Sequence, residues 1–276
     1  MAKPLLRWAG GKRWLTGKIS NHLPKVIKGY YEPFCGSCAI YYSLKDHLGD
    51  VPAYLSDLNR ELIEFYRVLQ DNPSELINYL REYENTESFY YYIRGITPTN
   101  NIESAARFYY LNRTSFNGIY RVNLNGKYNV PYGFKNYITL FNFDLIYESS
   151  DLLKNAIFVH DDFNWIVNMA GQDDFVFVDP PYTVSHNKNG FIKYNKKLFS
   201  FDDQKRLKVF LDLLTMRGVR YLMTNAHHSA VYDVFSFNST WKEIERYTSI
   251  SGEKKGRNFT KEYIFSNYDL SSDGET

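Results

Sequence analysis

Polar and apolar positions along the chain change their period several times, and each change marks an element. Residues 175–178, Phe-Val-Phe-Val, are an unbroken apolar run of strand length. A run without polar alternation suits a strand buried on both faces, as in a parallel sheet. It leads into Asp179-Pro180-Pro181-Tyr182. Asp179 is therefore expected at the carboxyl end of a strand, where open α/β sheets place their ligands. Further short apolar runs predict strands over 30–34, 53–57, 156–159 and 219–224. Residues 241–250 and 262–268 alternate well enough for a terminal antiparallel pair. Helical periodicity predicts helices at 40–44, 58–70, 73–84 and 102–112, with Pro73 in a first turn. Ser200 and Asp203 form a capping box for a helix reaching about Met216. Strand and helix alternate at both ends of the chain, whereas residues 60–143 interrupt the pattern and read as an inserted domain.

That insertion holds the clearest hairpin, over 119–130. Asn125-Gly126 matches a two-residue type I′ turn between segments of period two. Arg121 and Asn123 then share one face, with Val122 and Leu124 on the other. A two-stranded ribbon fits the major groove of DNA, and Arg and Asn are readers of guanine and adenine edges.

Composition narrows the class. With 276 residues the chain holds one large domain, or one domain with a sizeable insertion. No run of 18 apolar residues exists to span a membrane, and the N-terminus lacks the apolar core of a signal peptide. Cys35 and Cys38, in Cys-Gly-Ser-Cys, are the only cysteines: too few for a disulfide framework or, alone, a structural zinc site. A thioredoxin-like redox pair stays open, and a reducing cytoplasm is expected. The six histidines show no ligand spacing, so no metal is expected. Net charge is only +2, but residues 104–143 contain no Asp, Glu or His while carrying five Arg and Lys, eleven Phe and Tyr and seven Asn. Basic, aromatic and amide groups without an acid suit a nucleic-acid surface. A Tyr-rich core beside a solvated basic face is the alternative.

Candidate chemistry collects in four places. Gly10-Gly11 lets the backbone turn sharply or approach a ligand, and Lys12 follows as a point cation suited to a carboxylate or phosphate. The strand at 30–34 runs into a loop of small residues and then a helix, the first unit of a nucleotide-binding α/β fold. Asp57 ends the next strand, 21 residues after Gly36, near the spacing at which such folds place an acid on ribose hydroxyls. The loop is not GxGxxG, so an adenosine-containing cofactor without a pyrophosphate fits better than a dinucleotide. Asp57 as a helix N-cap is the other reading. At 179–182 two prolines fix φ and carry no amide N–H. The Asp179 carboxylate and the Pro180 carbonyl can then act as acceptors beside the flat Tyr182 ring. Two acceptors and a stacking face suit a planar base with an exocyclic NH2. A strand ending in a proline turn with a capping Asp is the plain alternative.

Taken in order from about residue 3 to 268, these stretches resemble the Dam-like (D12 class) DNA adenine-N6 methyltransferases. The residues carrying the resemblance are RWAGGK at 7–12, EPFCGSC at 32–38, LSDLN at 55–59, LNRTSFNGIYRVNLNGKYNVPYG at 111–133 and DPPY at 179–182. Cys38 departs from the family's usual Gly or Ser, and the segment 251–258 matches poorly. The resemblance implies a Rossmann-like S-adenosylmethionine-dependent α/β methyltransferase domain at 1–59 and 144–270. A helical and β-hairpin DNA-recognition domain would be inserted at 60–143, with a polar tail at 271–276. It implies S-adenosylmethionine as cofactor, held by Trp8, Lys12, Phe34, Gly36, Asp57, Asp162, Phe163 and Asp179. Asp179, Pro180, Pro181 and Tyr182 are the implied catalytic tetrad, acting on an adenine flipped out of double-stranded DNA. Arg113, Phe116, Asn117, Ile119, Arg121, Asn123, Pro131 and Lys135 are the implied DNA contacts, with GATC the expected site. Phe116 as core and Arg121 as a phosphate clamp is the alternative there. The expected setting is a bacterial cytoplasm, or a phage-encoded enzyme acting in it, away from any membrane. A relative with a different or longer adenine-containing site, or a non-catalytic DNA-binding relative, stays in contention. RNA and protein-amide methyltransferases share the tetrad but usually begin it with Asn.

Overall fold

The computed structural model describes residues 3–12, 14–123, 125–134, 139–182, 199–248 and 258–270. Seven strands form one sheet: β1 (Tyr30–Glu32), β2 (Ala53–Asp57), β3 (Ala156–His160), β4 (Phe175–Val178), β5 (Arg220–Ala226), β6 (Thr240–Thr248) and β7 (Asn258–Ser266). Their order is β3-β2-β1-β4-β5-β7-β6. β4 lies parallel to β1 and to β5, while β7 runs antiparallel to β5 and β6. All four residues of β4 are buried, as its unbroken apolar run predicts. The expected terminal antiparallel pair is present, with Trp241 opposite Phe265 and Glu243 opposite Tyr263. Among the described residues no helix is long and apolar enough to cross a membrane.

Packing divides the chain into two compact units. The first comprises Met1–Arg13, Cys35–Asp46 and Leu55–Asp161, and the second Trp14–Phe34, His47–Tyr54 and Asp162–Thr276.

In the first unit the helices are α1 (Ala39–Leu48, its last turn excepted), α2 (Arg60–Asp71), α3 (Pro73–Arg81), α4 (Glu87–Gly95), α5 (Asn101–Thr114) and α6 (Phe143–Leu153). Asn59 caps α2 by accepting from the Leu62 amide at 3.2 Å. The helix buries Leu62, Ile63, Phe65, Tyr66, Val68 and Leu69, one apolar stripe of helical period. Tyr66 stacks on Phe158 of β3 with ring centroids 5.0 Å apart. The Gln70 amide donates to the carbonyls of Leu153 and Ala156, pinning α2 at the end of α6 and on β3. α5 is buried nearly all round. Its Arg107 is buried too, and the guanidinium donates to the carbonyls of Ile93 and Arg94. A buried charge kept in this way is solvated by main-chain dipoles in place of water.

The hairpin differs from the sequence expectation. The Asn123 amide donates to the Lys127 carbonyl and the Gly126 amide to the Asn123 carbonyl, so the loop is longer than two residues. The Asn123 carboxamide oxygen accepts from the amides of Asn125 and Lys127, a side-chain turn that stabilises this longer loop. Beyond it, isolated bridges join Val122 to Tyr128 and Ser115 to Tyr132.

The second unit carries β1, β4, β5, β6 and β7 with α7 (Ile166–Met169), α8 (Phe201–Met216) and α9 (Ser229–Phe235). Ser200 and Asp203 form the expected capping box at the start of α8. Val176, Val178, Phe210, Leu214, Met223 and Phe265 belong to the core between sheet and helices. The segment 251–257, the tail 271–276 and Lys135, all singled out in the sequence, lie outside the described residues.

Candidate functional site

In the first unit the site is built around the loop from Cys35 to Cys38, which leads into α1. The Cys35 amide donates to the Ser56 carbonyl of β2 at 3.0 Å, and the Cys38 amide closes the turn on the Cys35 carbonyl at 2.7 Å. The buried Tyr66 hydroxyl donates to the Gly36 carbonyl at 2.9 Å, fixing the loop from α2. Gly36 has φ +45°, and a Cβ there would come within 2.6 Å of Trp8 Cδ1. Only glycine lets the Trp8 ring lie this close to the loop. Cys38 also takes a left-handed φ, 54°, a conformation glycine adopts without strain. That accounts for glycine being an easy alternative at this position. Both cysteines are buried thiols outside any disulfide.

Asp57 binds this loop directly. Its Oδ2 accepts from the Gly36 amide at 3.2 Å and its Oδ1 from the Asn59 amide at 2.9 Å. The cap of α2 is thus Asn59, and Asp57 serves the loop. Burial pushes the Asp57 carboxyl up to about 6, against the opposing pull of the Asn59 and Gly36 amides and of His160.

Trp8 packs on Phe108 of α5 and stacks on Tyr120, with centroids 6.3 and 5.8 Å away. Lys12 is 3% exposed, and its Nζ donates to the Gly10 carbonyl at 3.1 Å. A cleft of about 210 Å³ opens here, lined by Leu6, Arg7, Trp8, Gly11 and Ser37. A nearly buried ammonium favours an anion brought close to it.

The expected DNA contacts lie in the same unit. Phe116 is 53% exposed and is therefore not a core residue. Asn117 beside it is exposed and left-handed, with φ 56°. The Phe116 amide donates to the Pro131 carbonyl, and the Ile119 carbonyl accepts from the Tyr128 hydroxyl. The Arg113 guanidinium donates to the carbonyls of Leu140 and Thr139. Arg121 is exposed, and its Nε donates across the hairpin to Asn129 Oδ1 at 2.8 Å. The Asn123 side chain is engaged by the turn, as described above.

In the second unit Asp179 follows β4 directly, with Pro180 buried and Pro181 exposed. The Thr224 hydroxyl of β5 donates to Asp179 Oδ1 at 2.8 Å. The Tyr182 hydroxyl donates to Glu262 Oε2 of β7 at 2.7 Å. Burial, with Asp179 and Glu262 nearby, raises the Tyr182 phenol well above its ordinary value, so it stays a neutral donor. Elsewhere in this unit Phe34, Phe163 and Phe199 meet in a ring cluster with centroids 5.7 to 6.4 Å apart. Asp162 accepts from the Asn164 amide and pairs with Arg206 at 3.0 Å, while the Arg206 guanidinium lies over Phe163.

Thr224, Glu262 and Phe199 were not singled out from the sequence. Glu262 left little signal, an acid between Lys261 and Tyr263 on the last strand, and a threonine in a buried strand leaves none.

Residues 8–250 match the family model of the D12 class N6 adenine-specific DNA methyltransferases. A type II methyltransferase of Lactococcus lactis subsp. cremoris is 32% identical over 277 residues, covering 96% of this chain and 95% of that protein. One from Methanocaldococcus jannaschii is 31% identical, covering 92% and 95%. The DNA adenine methylase of Serratia marcescens is 32% identical, covering 95% and 97%. With this match across nearly its whole length, the chain belongs to the D12 class of N6 adenine-specific DNA methyltransferases.

Proposed function

We propose that the enzyme flips its target adenine out of duplex DNA into the Asp179-Pro180-Pro181-Tyr182 turn and methylates N6 there, using S-adenosylmethionine, within GATC. The observation that carries this reading is the anchoring of the tetrad: Asp179 by Thr224 and Tyr182 by Glu262. A carboxylate held at a strand end and a ring held beside the following turn are pre-organised groups, the kind that lower a barrier by positioning.

The first unit's donor set fits S-adenosylmethionine. Lys12 is a buried cation for the methionine carboxylate, Asp57 an acceptor for ribose hydroxyls, and the missing Cβ at Gly36 lets the Trp8 ring close over the loop. Phe34, Asp162 and Phe163 are assigned to the adenine end, and Asp179 to the methionine end, on the motif match alone. When bound, this cofactor supplies an electrophilic sulfonium methyl group. Asp179 and the Pro180 carbonyl accept the two N6 hydrogens of the flipped base. That draws the nitrogen lone pair out of conjugation with the ring and leaves it available to the methyl carbon. The Tyr182 ring stacks on the base. Enzymes acting on a base must take it out of the stack, because its reacting atom is out of reach inside the duplex.

The domain reading goes with this: residues 60–143 form the target-recognition domain, and 1–59 with 144–270 the catalytic one. Arg121 and Asn123 read base edges, Phe116 and Asn117 lie at the stack opened by the extruded adenine, Ile119 and Pro131 contact the DNA, and Arg113 and Lys135 set register at the backbone. The exposed Phe116 ring supports a wedge at the extruded base.

Duplex DNA, RNA and protein offered together with labelled S-adenosylmethionine test the substrate class. Sequencing the methylated adenines tests the site. Label confined to duplex DNA, at GATC, is expected; methylation at a longer or different adenine-containing sequence would replace GATC by that site.

A further inference from the structure

We propose that Thr224 and Glu262 are positioning residues of the methyl-transfer step, one setting the Asp179 carboxylate and the other the Tyr182 ring. The inference rests on the tetrad reading given above. Its basis is a set of polar groups where burial makes polar groups costly. Thr224 and Glu262 are both fully buried, at 0% exposure, on the neighbouring strands β5 and β7. Antiparallel pairing sets Thr224 opposite Ile264 and Ala226 opposite Glu262, so strand register brings the two side chains to the end of the sheet where β4 gives way to Asp179. A buried hydroxyl or carboxylate without a partner costs folding free energy, about 1–3 kcal/mol or more for a charge. Each persists here because it bonds to a residue of the tetrad.

The two bonds do different things. The Thr224 hydroxyl is one donor at 2.8 Å from Asp179 Oδ1, which fixes the rotation of the carboxylate plane. That rotation decides whether the carboxylate's acceptor lone pairs meet an N6 hydrogen. Glu262 accepts from the far end of the Tyr182 ring at 2.7 Å. With the hydroxyl tethered, the ring cannot swing about its Cα–Cβ bond, so its face keeps one direction. Because the two supports come from adjacent strands of one sheet, the carboxylate and the ring are held in a common frame. Both act on the reaction through the tetrad residues they bond.

Single-turnover methyl transfer on a duplex substrate, with binding and unfolding measured separately, tests this. Thr224→Val keeps the shape and removes the donor, and should slow transfer about tenfold or more. Affinities for the duplex and for S-adenosylmethionine should stay within about twofold. Thr224→Ser restores the donor and should recover most of the rate, which a merely structural role would not predict. Glu262→Met should slow transfer in the same selective way, and Glu262→Gln, which keeps an acceptor oxygen, should recover much of it. If Thr224→Val does not fold, Thr224→Ala replaces it. A rate unchanged in Thr224→Val and Glu262→Met overturns the proposal, as does a loss shared equally by rate, both affinities and unfolding midpoint without rescue by Ser or Gln. Asp179→Asn, run alongside, separates the two levels: if it too keeps the wild-type rate, the tetrad reading itself has failed. If only Asp179→Asn is slow, the positioning role alone is wrong.

Discussion

Asn112 grips Arg7 through both main-chain polar atoms of that residue: its Oδ1 accepts from the Arg7 amide at 2.9 Å, and its Nδ2 donates to the Arg7 carbonyl at 2.7 Å. The same Nδ2 reaches the Gly118 carbonyl at 3.3 Å. Gly118 itself lies against Arg7, where a Cβ would come within 2.7 Å of Arg7 Cδ. One buried carboxamide therefore ties the segment carrying Trp8 and Lys12 to the segment carrying Phe116 to Arg121. Asn112→Ala should cost about 2 kcal/mol, a few net hydrogen bonds' worth. A lower urea midpoint with an unchanged slope would record it. It should also weaken S-adenosylmethionine binding, because Trp8 and Lys12 lose their anchor. Asn112→Asp keeps the acceptor but turns a buried carboxylate oxygen onto the Arg7 and Gly118 carbonyls, so its loss should be at least as large.

Much of the fold could be read from the chain because burial leaves a period behind. Phe175 to Val178 has no polar position, which only a strand covered on both faces tolerates. Ser200 and Pro73 punctuate helices through local chemistry. Where two local solutions share the same residues the sequence does not choose. Asn125-Gly126 suits a type I′ turn and also a longer loop with Gly126 at φ +72°, and the Asn123 side chain decides for the latter. Asp57 and Asn59 can both cap a helix, and only the Asp57–Gly36 bond separates their roles. The consecutive tyrosines of α4 hide its period: Tyr90 is buried while Tyr91 and Tyr92 point outward. Thr224 and Glu262 could not be tied to the tetrad from the sequence at all, because strand register alone brings them there.

With Asp57 as the proposed ribose acceptor, its raised carboxyl should give S-adenosylmethionine binding a pH dependence. Its folded value lies near 6 against 3.8 ordinarily. Between those values the folded chain keeps a proton that the unfolded chain has released. This group alone therefore lowers stability as pH rises through that window. Ribose hydroxyls donate to the ionised form. Affinity for S-adenosylmethionine should thus be flat above pH 7 and fall about tenfold per unit well below 6. Calorimetric titration from pH 5 to 8 in the absence of DNA checks it. Asp57→Asn should bind weakly and without this slope. Unchanged affinity in both Asp57→Asn and Lys12→Ala would move the cofactor site elsewhere.

Asp179→Ala should abolish methyl transfer and leave duplex binding nearly intact, since phosphate contacts carry most affinity for DNA. The variant also leaves the Thr224 hydroxyl without its Asp179 acceptor, so a modest loss of stability should accompany it. Turnover within about tenfold of wild type, equivalent to ~1.4 kcal/mol of barrier, would refute the catalytic assignment.

Arg121 carries the sharpest test of sequence reading. It stands exposed on the hairpin, and its Nε bond to Asn129 Oδ1 holds the guanidinium along the ribbon, with the group's other edge left to be tested as a reader. A guanidinium held in one direction loses less conformational freedom when it meets a base, and bidentate contact with guanine is worth about 1–3 kcal/mol of discrimination. A phosphate clamp behaves differently: it strengthens binding to every sequence alike and adds to the salt dependence. Arg121→Ala should therefore broaden the set of methylated sequences, with the relaxation confined to one position of the site. Asn129→Ala removes the Nε bond and leaves the guanidinium only its 3.3 Å bond to the residue 129 carbonyl, so it should relax the same position by a smaller factor. Sequencing of methylated adenines after treatment with each variant, at two salt concentrations, distinguishes the cases. A uniform fall across all sites, together with a shallower salt dependence for Arg121→Ala, would make Arg121 a backbone contact and shift base reading to its neighbours on the ribbon.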